Sequence, residues 1–233
     1  MRYRNQPMYK AIPLLSLIML LTLPGVSQQA IATSEIHIAT ELLRSLNQRG
    51  KPYLDCTFQR MEMPYRISSV PWARAQLGTQ KGAYDGFFMA SQNAKRDLYA
   101  VRADPFFNIE WLYVVNDKSG ISPVDLDFST RLFAANKGSA RLTWLQNKFD
   151  NKQVINTTDS NNSLTMLKRG RVDVILENNE NLKTVLKDLQ FNPAGFATFV
   201  AKSKPVGLYV SKKFLHKEPN FLNEFNLNLK HCQ

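Results

Sequence analysis

The sequence predicts an α/β fold in which a mainly parallel sheet is flanked by helices. Three observations lead there. From Asp117 onward, short apolar runs of strand length alternate with stretches whose apolar residues recur at helical spacing. The connections between them are short, which suits a parallel sheet covered on both faces. The composition is that of an ordinary globular chain: 233 residues, 44% hydrophobic and 21% charged, enough for one or two modest domains and unlike a disordered or collagenous chain.

The elements follow in order. Ile36 and Ile38 alternate as in a short strand, and a helix is expected after it, ending near Gly50-Lys51-Pro52. Residues 65–70 read as a strand. Pro71 then opens a helix, as proline does at a helix start, and Gly82 ends it. Residues 84–89 form an apolar run suited to a buried strand. Residues 104–115 are aromatic and extended. Beyond Asp117, strands are expected at 131–135, 154–157, 172–176, 196–200 and 206–210. Helices are expected at 139–149, 162–169 (stopped by Gly170), 181–189 and 220–229. In sheets of this kind ligands bind beyond the carboxyl ends of the strands.

The N-terminus reads as an address. Arg2, Arg4 and Lys10 precede an apolar run of 13 residues, Pro24-Gly25 breaks it, and Ala30-Ile31-Ala32 offers small residues at cleavage-site spacing. Residues 1–32 are therefore expected to be a secretory signal peptide, since a membrane span needs about 20 apolar residues. That segment would send the chain out of the cytoplasm, and the periplasm is the expected destination. The formal net charge of +11 falls to +8 once the signal is removed, and the remaining charge forms no stripe or tail. A nucleic-acid partner is not expected. Cys56 and Cys232 are the only cysteines. In an oxidising compartment an even count favours one disulfide, with two unpaired thiols as the alternative. The bond would close a loop long enough to stabilise the fold by roughly 5 kcal/mol at most on the chain-entropy account.

Motifs for catalysis are missing. His37, His216 and His231 adjoin no nucleophile motif, and no HExxH, GxSxG, phosphate-binding loop or dinucleotide fingerprint occurs. Neither a metal nor a cofactor is expected. Asp125 and Asp127 are paired carboxylates that helix capping explains as well as acid–base work does. Binding features are richer. Gly138-Ser139 follows a strand and opens a helix, so its backbone N–H groups and hydroxyl could receive an anionic oxygen, or Ser139 could simply cap the helix. Arg96 follows the strand at 84–89 and could clamp a carboxylate bidentately or be a solvated loop charge. Trp72 and Phe107 could wall a cleft or pack in the core. Glu177 closes a buried strand.

Several segments together resemble the type 2 periplasmic solute-binding proteins, in particular extracellular solute-binding protein family 3, the polar amino acid binders. They are Val70-Pro71-Trp72-Ala73-Arg74-Ala75, Lys81-Gly82-Ala83-Tyr84-Asp85-Gly86-Phe87-Phe88, Arg96, Asp104-Pro105-Phe106-Phe107, Lys137-Gly138-Ser139 and the run from Met166 through Gly170-Arg171-Val172-Asp173 to Asn178. The resemblance covers about residues 65–212. It implies a two-lobed clamp of type II, each lobe a mainly parallel sheet flanked by helices. Lobe 1 would be 33–112 plus 204–233 and lobe 2 would be 118–199, with hinge crossings near 113–117 and 200–204. Both cysteines would then lie in lobe 1.

The resemblance also implies roles. Arg96 matches the arginine that holds a ligand carboxylate, and Asn93 stands where a threonine is usual. Gly138-Ser139 matches the oxygen-binding turn of the second lobe. Asn178 occupies the place of the carboxylate that binds ammonium, with Glu177 beside it. The loop Ala39-Thr40-Glu41-Leu42 lacks the Pro-aromatic segment common there. The implied protein is a monomeric, non-enzymatic binder of a small anionic or zwitterionic ligand, serving a membrane permease in uptake. Alternatives are a partner of a membrane receptor or kinase, and a small-carboxylate dehydratase of the same fold with Glu177 as its acid.

Overall fold

A computed structural model describes residues 35–41, 45–122 and 130–233. The expected signal segment and the Asp125–Asp127 pair lie outside the described residues. Nine strands form one sheet in the order β2-β1-β3-β9-β5-β8-β6-β7, and β4 also pairs with β9. The strands are β1 (Ile36–Thr40), β2 (Tyr65–Ser69), β3 (Gly86–Ser91), β4 (Ala100–Arg102), β5 (Phe107–Asn116), β6 (Phe133–Asn136), β7 (Val154–Thr157), β8 (Val174–Asn178) and β9 (Phe196–Ser211). The helices are α1 (Ser45–Arg60), α2 (Trp72–Lys81), α3 (Ala94–Asp97), α4 (Ala140–Lys148), α5 (Ser160–Lys168), α6 (Asn179–Asp188), α7 (Lys212–Lys217) and α8 (Phe221–Leu229).

The sheet has two parallel triplets. In the first lobe β1 pairs in parallel with β2 and β3; in the second β6 pairs in parallel with β7 and β8. Between the triplets run β5 and β9, antiparallel to each other along ten residues of β5, from Phe107 opposite Val206 to Asn116 opposite Phe196. The ladder slips once, between Trp111 and Leu112. The expected strands at 196–200 and 206–210 are thus one strand of 16 residues. Lys202-Ser203-Lys204 and Pro205 interrupt the apolar run, which hides the continuity in the sequence, yet the β5 ladder carries the strand across them.

Alternation along the strands sends successive side chains to opposite faces. Ile36, Ile38, Phe88, Tyr113, Val115, Phe133 and Ala135 join one core with Leu54 and Phe58 of α1, Leu145 of α4 and Phe225 of α8. On the other face Ala39 and Phe87 pack with Trp72 and Ala75 of α2. Val114, Ala134 and Ile175 pack there with Leu164 of α5 and Val185 of α6.

Among the helices, one expectation fails. The first helix does not end near Gly50-Lys51-Pro52; α1 runs through them to Arg60. An interior proline costs a helix about 3 kcal/mol, but Pro52 is exposed, while Leu54 and Phe58 behind it are fully buried. Gly50 lets α1 pack closely on Met89, because a Cβ there would lie 2.1 Å from the Met89 sulfur. Tertiary packing outweighs the local stop signals. The α2 boundaries agree with expectation, with Pro71 as N-cap and Gly82 ending the helix at φ 89°. Cys56 of α1 and Cys232, just past α8, form a disulfide spanning 176 residues of sequence.

Candidate functional site

The carboxyl ends of both parallel triplets converge on one cavity of about 40 Å3. Glu41 follows β1, Ser91 ends β3, Asn136 ends β6 and Asn178 ends β8, and all four line it. Topology therefore puts the cavity where open α/β sheets bind ligands. Trp72, Arg96, Trp111, Ser139, Arg141 and Asn181 complete its polar and aromatic wall.

Arg96 lies in α3, which Asn93 starts by accepting a hydrogen bond from Lys95 N at 2.9 Å. Arg96 is 2% exposed. Its Nε donates to Gln76 Oε1 at 2.8 Å, Nη1 to the Ser91 carbonyl at 2.6 Å and Nη2 to the Gly138 carbonyl at 3.1 Å. Three of five N–H groups are engaged by neutral acceptors, which leaves two. None of the ion pairs among the described residues involves Arg96. Burial lowers its pKa to about 10, so it stays charged at neutral pH. Trp72 and Phe87 present ring faces 5.3 and 5.8 Å from its central carbon.

The second lobe meets it with the start of α4. Ser139 is the N-cap, and its Oγ accepts from Leu142 N at 3.0 Å. The hydroxyl thus caps the helix, while Ser139 and Ala140 line the cavity. Gly138 has φ 75°, a conformation that favours glycine, and a Cβ there would sit 2.9 Å from Gln76 Nε2. Its carbonyl receives both Arg96 and Gln76 Nε2, the latter at 2.9 Å. Arg141 reaches back to pair with Glu177 at 2.8 Å and donates to the Leu176 carbonyl at 3.0 Å. Glu177 Oε1 also accepts from Asn178 N at 2.7 Å.

Further bridges hold the lobes together. Asn93 Nδ2 donates to Thr143 Oγ1 at 3.2 Å, Asn136 Nδ2 donates to Glu41 Oε1 at 3.3 Å, and Arg49 pairs with Glu180 at 2.6 Å. The cleft is shut.

Of the residues singled out from the sequence, Trp72, Arg96, Ser139 and Asn178 line the cavity together. Gly138 contributes its carbonyl to the lobe contact. Asn93 caps α3 and bridges the lobes. Phe107 is away from the cavity wall, under the Arg49 guanidinium at 4.0 Å and against Tyr53. Glu177 stands behind the wall, paired with the lining residue Arg141. Sequence reading missed Asn136, Arg141, Trp111 and Asn181. The first two have a legible signal, since one ends a strand and the other opens the helix after it. Trp111 and Asn181 are found only through the fold.

This architecture is the two-lobed fold of the periplasmic binding proteins. No protein-family model and no curated protein sequence matches the chain. Solved structures do. An arginine-bound, truncated ArgBP from T. maritima is similar at 15% identity and TM-score 0.68, covering 85% of this chain and 96% of that one. The arginine-, lysine-, histidine-binding protein ArtJ from Geobacillus stearothermophilus is similar at 12% identity and TM-score 0.71, covering 85% and 89%. A histidine kinase sensor domain with similarity to periplasmic binding proteins matches at 13% identity and TM-score 0.72, covering 84% and 89%. At these identities the likeness concerns the fold.

Proposed function

We propose that this protein is a periplasmic solute-binding protein that closes two lobes over a small anionic or zwitterionic ligand and hands it to a membrane permease. The observation that carries the reading is Arg96: an arginine 2% exposed, at a cavity between the lobes, without a carboxylate partner. A buried unpaired charge is costly, and an anionic ligand supplies the missing partner. Arg96 would hold the acidic group from lobe 1 (33–112 plus 204–233). The Gly138-Ser139 turn would meet it from lobe 2 (118–199), with Trp72 as a wall and Asn178 at the strand end. Motion would occur about the crossings near 113–117 and 200–204. Binding energy favours the closed state only as far as the ligand touches both lobes. Glu177, the acid a dehydratase would need, is occupied by Arg141, which supports binding without bond chemistry.

A second reading keeps the clamp and changes its listener. Similarity to a histidine kinase sensor domain supports a role in which the closed lobes are read by a membrane receptor.

A thermal-shift screen of the purified protein against amino acids and small organic acids tests the binding role, because a ligand that binds the folded state raises Tm by mass action. At least one anion should stabilise the protein. Arg96→Ala should weaken that ligand more than tenfold, about 1.5–3 kcal/mol for a charged hydrogen bond, as measured by calorimetry. A flat screen, or undiminished affinity in the variant, overturns the assignment.

A further inference from the structure

Two buried polar atoms in the cavity wall have no hydrogen-bond partner. Trp111 Nε1 is a donor on a side chain 2% exposed, and Asn181 Oδ1 is an acceptor on a side chain 4% exposed. Both residues line the same cavity. Register and capping put them on adjoining elements: Trp111 on β5 is opposite Asn178 on β8, and Asn178 Oδ1 accepts from Asn181 N at 2.7 Å. Buried polar groups are nearly always paired, and exceptions call for an unseen partner.

We infer that the ligand is a small hydroxycarboxylate, whose hydroxyl accepts from Trp111 Nε1 and donates to Asn181 Oδ1 while its carboxylate lies on Arg96. This rests on the anion-binding reading above. A hydroxyl offers one donor and two acceptor lone pairs, so it can satisfy both orphans at once. An ammonium has three donors and no acceptor, so it leaves the indole N–H unpaired. Of the neighbouring acceptors, Glu177 is paired with Arg141 and Asn178 Oδ1 caps α6, while Glu41 Oε1 receives Asn136 Nδ2 at 3.3 Å. The cavity volume of about 40 Å3 favours a ligand of few heavy atoms.

Calorimetry with L-lactate and L-alanine, which differ only in hydroxyl against ammonium, tests this, with glycolate and glycerate as further probes. Lactate should bind at least tenfold more tightly than alanine. Trp111→Phe and Asn181→Leu, each checked for a cooperative thermal transition, should shrink that preference at least threefold. Equal or tighter binding of alanine overturns the inference, as does a preference unchanged in both variants. Binding of some other anion through Arg96, with none of the hydroxycarboxylates bound, overturns it while leaving the solute-binding role standing. Failure of every anion removes both.

Discussion

Arg96 stands on the first-lobe wall of the cavity and Arg141 on the second-lobe wall, and both are buried, at 2% and 8% exposure. Their surroundings differ. Arg141 has a carboxylate 2.8 Å away in Glu177. Arg96 has two carbonyls and an amide oxygen. The same side chain serves as a finished structural pair on one wall and as an unfinished one on the other. An arginine in a cleft is therefore informative only once its counter-ion has been sought.

Four substitutions test that contrast. Glu177→Gln should have the largest effect, because it strands Arg141 as an uncompensated buried charge; about 3–5 kcal/mol of stability should be lost in urea unfolding. Arg96→Met should cost less, about 1–2 kcal/mol. It orphans neutral acceptors but also relieves a buried charge. If Arg96→Met destabilises as much as Glu177→Gln, the two arginines are equivalent and the contrast collapses. Gly138→Ala acts on the contact between the walls. It places a Cβ at φ 75° and 2.9 Å from Gln76 Nε2, so it should cost about 1–2 kcal/mol and enlarge the radius of gyration in solution scattering. Arg49→Ala removes the bridge to Glu180, whose side chains are 45% and 17% exposed. Solvent screening holds that loss below about 1 kcal/mol, read as a small drop in Tm that salt abolishes.

Much of the fold was legible because the second lobe uses short, regular units. Residues 139–149 and 154–157 were bounded within a residue or so by Ser139, Phe149 and a β-branched run. The errors came where tertiary contacts override local signals: α1 continues through Pro52, and β9 bridges a polar stretch between two apolar ones. Half of the site was legible for a similar reason. Arg96, Ser139 and Asn178 sit at strand or helix ends, which topology makes ligand-facing. Trp111 looks like one more aromatic of a core strand. Only the register slip beside it and its unpaired indole N–H set it apart. Asn181 reads as an ordinary first-turn residue.

The charge pattern gains meaning from the same division. Residues 33–117 carry ten basic and nine acidic residues, and 118–203 carry twelve and eight. Residues 204–233, which rejoin the first of these stretches, add five basic and two acidic residues, so the basic excess is shared by both sides of the cleft.

In the proposed division into lobes the chain passes between them twice, and the two passages, β5 and the Phe196–Val206 part of β9, are paired with each other. Two independent tethers would let one lobe slide, swivel and tip against the other. A single twisted ribbon resists shear and stretching along its length and yields mainly by bending and twisting, most readily where the ladder slips at Trp111–Leu112. Opening should therefore follow one low-dimensional path. Spin labels at opposed sites on the lobes should report correlated distances, not a diffuse cloud.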